Sequence, residues 1–268
     1  MKASFFANKA KNISVPLLLI LAPLAFASVV APSACIAAPT AESKAFTQKG
    51  IKLYNEGKAA EAIAEFKKAI AIDAGNSDYH RNLSSVYYAQ GQIPNAVKEG
   101  ELALKTKPGD AKNIANMGNL MVVQKKWPEG EKYYRQAVKA APSNSKFFQD
   151  LLICLREQKK TDEIESLSRT QLKTQPANFD ALIALSSVLL EKKQTEEAEK
   201  QARLAVKAGA KNAEAHLVLA NVLKKRGKDK EAVKEYQETL ALKPDHSAAK
   251  EIKDTINYIN SKVDSRIP

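Results

Sequence analysis

The sequence predicts an all-α chain built from repeated helix pairs, and three observations carry that prediction. Aromatic residues make up only 6% of the 268 residues, Ala, Leu, Lys and Glu abound, and long β-branched runs are missing, which is the bias of a helical chain. Pro108, Pro142, Pro176 and Pro244 are spaced 34, 34 and 68 residues apart, with Ala210 in the vacant slot. A period near 34 is that of a helix–turn–helix solenoid. Registering the chain on this period gives six units, 43–76, 77–110, 111–144, 145–178, 179–212 and 213–246, without insertion or deletion.

Taken in chain order, the first element is a leader. Residues 1–14 hold three lysines and no acid, and residues 12–41 hold no charge. Residues 15–30 are apolar and run into an Ala-rich exit, so residues 1–38 read as a secretory signal peptide and 39–42 as a short linker. Cleavage after Ala27, Ala34, Ala37 or Ala38 fits equally. The chain is therefore expected to be exported, to a periplasm or beyond the cell. The alternative is a retained N-terminal membrane anchor, although 16 apolar residues interrupted by Pro16 and Pro23 are marginal for a span. Lipid attachment at Cys35 is disfavoured by Pro32, since that modification wants a short apolar residue three positions earlier. With the leader cut after Cys35, Cys154 is the one thiol left, so no internal disulfide forms. Its apolar neighbours mark it as a core residue. The formal charge of +12 falls to +9 and stays basic.

Within each unit, small residues recur where two helices must touch. The eighth position reads Gly50, Ser84, Gly118, Leu152, Ser186, Ala220, and the twentieth Ala62, Ala96, Gly130, Ile164, Ala198, Ala232. Two helices crossing closely leave no room for bulky side chains at the contact. Leu53, Tyr87, Met121, Leu155, Leu189 and Leu223 fill the first helix, A, and Ile70, Leu104, Val138, Leu172, Val206 and Leu240 the second, B. Gly57, Gly91 and Gly227 fall where helix A ends, as a left-handed C-cap requires, while Lys125, Lys159 and Lys193 stand there in the other units. The proline closing a unit is expected to stop helix B and open the next helix A. Unit 4, with Leu152 against Ile164, Ser168 and Gln171, reads as degenerate and as the softest joint. Residues 247–268 supply a capping helix, through Ile252, Ile256 and Ile259, and a short tail.

On these residues the chain resembles tetratricopeptide repeat proteins, of the bacterial exported type, over residues 43–246. The resemblance implies a right-handed α-solenoid of six helix pairs that shares its core between neighbours.

No catalytic, cofactor or metal site is expected. The three histidines, His80, His216 and His246, are far apart in sequence, no His-Glu-x-x-His occurs, and none of the ten glycines makes a phosphate-cradling loop or a Gly-x-Ser-x-Gly elbow. His80 and His216 are read as half-buried structural residues.

The resemblance places function on the concave face, lined by helices A. It carries partner contacts onto Tyr54, Arg81, Asn82, Tyr88, Asn116, Asn119, Lys146, Gln149, Ile183, Ser187, Leu190, Leu217 and Asn221, with Ile51, Ile153, Arg156 and Asp180 beside them. The first half of this groove reads as polar and the second as apolar. Ile183, Leu190 and Leu217 are expected to lack burying neighbours, and the Asn side chains to be free for a peptide backbone. A subgroup of the family clamps a peptide carboxylate, and Arg81, Asn116 and Lys146 match three of its positions. Ser85 and Asp150 depart from it, and an acid there repels a carboxylate.

A second surface is a basic ridge along the A–B turns, made by Lys125, Lys126, Lys159, Lys160, Lys192, Lys193, Lys225 and Arg226. Lysines at a helix C-terminus also simply complement its dipole. The expected function is thus a non-catalytic scaffold that grips a protein or peptide in the groove. The alternative is an envelope structural or assembly component seated on an anionic surface by the ridge. No nucleic-acid partner is expected, and the sequence leaves partner identity and oligomeric state open.

Overall fold

The computed structural model describes residues 40–264; the leader with its cleavage sites, Cys35, and the tail after residue 264 lie outside them. The described residues form thirteen α-helices and no strand. Helices A are α1 (Ala41–Asn55), α3 (Ser77–Ala89), α5 (Ala111–Val123), α7 (Ser145–Glu157), α9 (Phe179–Glu191) and α11 (Ala213–Lys225). Helices B are α2 (Ala59–Ile72), α4 (Ile93–Thr106), α6 (Trp127–Ala140), α8 (Thr161–Thr174), α10 (Thr195–Ala208) and α12 (Asp229–Leu242), and α13 (Ala249–Asp264) closes the array. This is the all-α solenoid of six helix pairs with a C-terminal cap.

Each helix A ends identically. The backbone N–H of the second residue past the C-cap donates to the carbonyl of the large apolar residue five places earlier, as in Lys58 to Leu53, Lys126 to Met121 and Gln194 to Leu189, at 2.8–2.9 Å. That closure needs a left-handed residue. Gly57, Gly91 and Gly227 supply it with φ of 79°, 69° and 74°, while Lys125, Lys159 and Lys193 adopt 57°, 56° and 61° despite their Cβ atoms.

The starts of helices A differ from expectation. Helix B stops two residues before each proline, as α4 does at Thr106, and the residue that opens helix A is the Asn or Asp at the last unit position. Asn76, Asp110, Asn144, Asn178 and Asn212 each accept from a backbone N–H in the first turn at 2.9–3.1 Å. Thr40 does the same for Ser43, so residues 41 and 42, expected as linker, are helical.

Packing inside a unit follows a rule of complementary volumes between positions 8 and 24. A Cβ on Gly50 would sit 2.9 Å from the Phe66 ring, and one on Gly118 would sit 2.9 Å from Tyr134. The steric partner of Gly118 is therefore Tyr134 as well as the crossing helix at Gly130. Where position 24 is small, as at Gly100, Ser168 and Ala202, position 8 carries Ser84, Leu152 and Ser186. Unit 4 has the large residue at position 8, Leu152, and the small one at position 24, Ser168, the reverse of units 1 and 3. Leu152 also faces Ile164 at the crossing, and α7 and α8 pack more loosely than the other five A–B pairs. The Ser168 Oγ is buried there without a hydrogen-bond partner.

Neighbouring units share their core. One cluster runs from Leu53 to Leu120, a second from Ile114 to Val188 and a third from Leu185 to Ile259. Ile252 and Ile259 of α13 are buried in the third, and Ile256 packs against it. Cys154 is buried in the second, where burial pushes its thiol up to about 11, out of reach of nucleophilic chemistry.

His80 and His216 clip the first and last joints. The Nδ1 of His80 lies 2.8 Å from Glu99 Oε2 and its Nε2 lies 3.2 Å from the Ala74 carbonyl; His216 repeats this with Glu235 at 2.6 Å and Ala210 at 3.0 Å. Both partners of the His80 ring are acceptors, so the arrangement there favours the doubly protonated ring. The Glu99 bond, with help from the Ala74 carbonyl, outweighs burial and raises the pKa of His80. Ala74 and Ala210 are the positions at which the recurrent proline is absent, and the residue following the proline-bearing joints in the histidine slot is apolar: Ile114, Phe148, Leu182.

Helices B of units 3 to 6 are laced by a charge ladder. Arg135, Arg169 and Arg203 each bond a glutamate one turn back, Glu131, Glu165 and Glu199, and one in the next unit, Glu163, Glu197 and Glu231. The same three first glutamates receive Lys160, Lys192, and Arg226 with Lys228 from the following unit. Burial opposes ionisation of Glu131 and Glu199, but these bonds outweigh it and hold both carboxyls below their ordinary range.

Candidate functional site

The face made by helices A gathers exposed apolar side chains. Among the described residues nine large apolar side chains stay exposed, and five of them, Ile51, Tyr54, Tyr88, Val123 and Ile153, lie on this face. Ile51, Tyr88 and Val123 are each 43% exposed. They belong to units 1 to 4, so the half expected to be polar carries much of the accessible apolar surface. Ile183, Leu190 and Leu217 are half-buried and pack against the core of units 5 and 6, which corrects the expectation that they lack neighbours. Their neighbours are the buried residues of α9 to α13 that form the last core cluster.

The polar candidates are largely engaged. Arg81 bonds Asp78 at 2.5 Å and Asn113 at 3.0 Å, Asn116 donates to Ser84 Oγ at 2.9 Å, and Lys146 pairs with Asp150 at 2.6 Å. All three groups at carboxylate-clamp positions are thereby held by the protein itself. Asn119 and Asn221 each accept a tyrosine hydroxyl through Oδ1, from Tyr134 at 2.5 Å and Tyr236 at 2.7 Å. Only their amide nitrogens remain to donate, which corrects the picture of wholly free Asn side chains. Asn82 and Ser187 are half-buried, and Gln149 donates to Asp180 at 2.8 Å.

Five candidates come together in one cavity of about 560 Å³ over α7, α9 and α11: Gln149, Ile183, Ser187, Leu217 and Asn221. Ile153, Phe179 and Val218 add apolar wall, and Arg156, Asp180, Glu191 and Glu214 the charged rim. Glu191 and Glu214 were missed by sequence reasoning; their signal was an acid at positions 13 and 2 of a unit.

Three of the eight ridge cations are neutralised. Lys160, Lys192 and Arg226 are spent on the ladder glutamates, whereas Lys125, Lys126, Lys159, Lys193 and Lys225 remain exposed with no ion pair among the described residues. No helix of the described residues is long and apolar enough to cross a membrane.

Two family models, both described as tetratricopeptide repeat, match residues 53–117 and 183–247. The chain is a tetratricopeptide repeat protein. No curated protein matches it. Among solved structures this repeat protein resembles PilF of Pseudomonas aeruginosa, with TM-score 0.62 and 20% identity over 80% of this chain and 97% of that one. It also resembles PilW, a widely conserved type IV pilus biogenesis factor, with TM-score 0.60 and 19% identity over 80% and 99%. YrrB, a repeat protein with an unusual peptide-binding site, aligns with TM-score 0.51 and 17% identity over 70% and 97%. At these identities the likeness is one of fold. The repeat fold of this chain is that of a protein–protein interaction scaffold.

Proposed function

We propose that this repeat protein is an exported adaptor that holds an extended protein segment along the concave face of helices A. The observation that carries the reading is the concentration of exposed apolar side chains on that one face, continuous with the cavity over α7, α9 and α11. Solenoid helices have small residues at their contacts, so large apolar groups turned away from the core are surface for a partner. Helices A of adjacent units lie roughly one helix diameter, about 10 Å, apart. An extended segment advances about three residues over that distance. Export rests on the basic, apolar, Ala-rich leader of residues 1–38. The fold shared with a pilus biogenesis factor and with a peptide-binding repeat protein agrees with an adaptor working in the cell envelope.

The test is photocrosslinking in the native envelope with a photoreactive amino acid at Tyr88 on the groove and at Gln136 on helix B. Adducts from Tyr88 alone are expected; adducts from Gln136 alone would refute the reading.

The second reading, an anionic surface held by the ridge, is favoured by the five lysines left exposed at the turns. It predicts binding to vesicles containing anionic lipid that is lost by about 0.5 M salt, where the Debye length falls well below that at physiological strength.

A further inference from the structure

Resting on the groove reading, we infer that the cavity over units 4 to 6 selects a segment in which apolar residues are flanked by lysine or arginine. The observation is a doublet. Asp180 and Ile183 stand one helical turn apart on the same face of α9, and Glu214 and Leu217 repeat that arrangement at the equivalent places on α11. No other unit pairs an acid with an apolar residue there. The corresponding pairs are Lys44 with Thr47, Asp78 with Arg81, Lys112 with Ala115 and Lys146 with Gln149.

The carboxylates are accessible and poorly compensated. Asp180 accepts only the neutral amide of Gln149, and Glu214 has only His246, at 3.4 Å, beside it. Glu191 adds a third carboxylate with no cation paired to it, against the single guanidinium of Arg156 on the rim. The cavity rim is thus acidic on a chain of formal charge +12. Ile183 and Leu217 supply apolar contact, and the free amide nitrogen of Asn221 supplies a donor for a backbone carbonyl. A segment crossing α9 and α11 meets the same acid-plus-apolar pattern twice, about three residues apart. Its matching chemistry is a basic–apolar repeat of that spacing, and an acidic segment is repelled.

The test uses the purified full-length protein and three fluorescent peptides with two leucines three residues apart, each leucine flanked by lysine, glutamine or glutamate. Anisotropy titrations should show the lysine probe binding about tenfold more tightly than the glutamate probe, since two partly exposed charge pairs supply about one decade of affinity. Asp180→Asn with Glu214→Gln should remove that preference, bringing the lysine and glutamate probes to equal affinity. Equal affinity for the lysine and glutamate probes overturns the inference. If, in addition, no probe responds to Ile153→Ser, an exposed residue of the same cavity wall, the groove reading falls with it; if probes do respond, the groove reading stands and only the charge selectivity is lost.

Discussion

The volume rule between positions 8 and 24 makes a sharp prediction in unit 3. The Tyr134 ring is 2% exposed, its hydroxyl is held by Asn119 at 2.5 Å, and three of its ring atoms would lie 2.9–3.1 Å from a Cβ on Gly118. A ring fixed at both ends cannot retreat, so Gly118→Leu should cost about 1–3 kcal/mol by overpacking. Tyr134→Ser alone should cost about 3–5 kcal/mol, as other truncations of buried aromatics do. The double variant installs the Leu152–Ser168 pair of unit 4 in unit 3. It should be more stable than the sum of the two losses by about 0.5–3 kcal/mol, the range of coupling for residues in contact. Urea denaturation followed by far-UV circular dichroism measures all four corners of the cycle. Additive losses would refute complementarity between these positions.

Other outcomes follow from the same geometry. Replacing Lys125, Lys159 or Lys193 by Gly should raise stability by about 0.5–1 kcal/mol each, because relief of left-handed strain exceeds the entropy glycine adds to the unfolded chain; denaturant midpoints check this. Since the pKa of His80 is raised on folding, its stabilising clip is complete below the unfolded-state value and is lost as pH rises through the folded one. The urea midpoint should therefore fall on passing from mildly acidic to alkaline pH, and His80→Gln should flatten that slope. N-terminal sequencing of the protein from the envelope fraction should give a start between Ser28 and Pro39, whereas a start at Met1 favours the membrane anchor.

The helices and their pairing were legible because period, small contacts and glycine stops all agree, and the left-handed slots of Lys125, Lys159 and Lys193 followed from register alone. The Asn and Asp caps recur at the last position of five consecutive units, but the recurrent proline two residues earlier is an equally regular signal at the same turn, and only the backbone shows which of the two opens helix A. The site was less legible. Whether Leu190 is exposed depends on how far one helix A leans on the next, and whether Asn119 is free depends on Tyr134, fifteen residues away on another helix. The ladder was hidden for a similar reason: Arg135 and Glu163 are distant in sequence, and only stacking brings them together.

The central claim, that a partner sits on the concave face, is tested most directly by two variants in one pull-down from the native envelope. In one, the exposed groove residues Ile51, Tyr88 and Ile153 are replaced by Ser; in the other, Lys159, Lys160, Lys192 and Lys193 are replaced by Gln. The account predicts loss of captured partners with the first and retention with the second, at both low and high salt. Loss confined to the lysine variant would contradict it and transfer the function to the ridge.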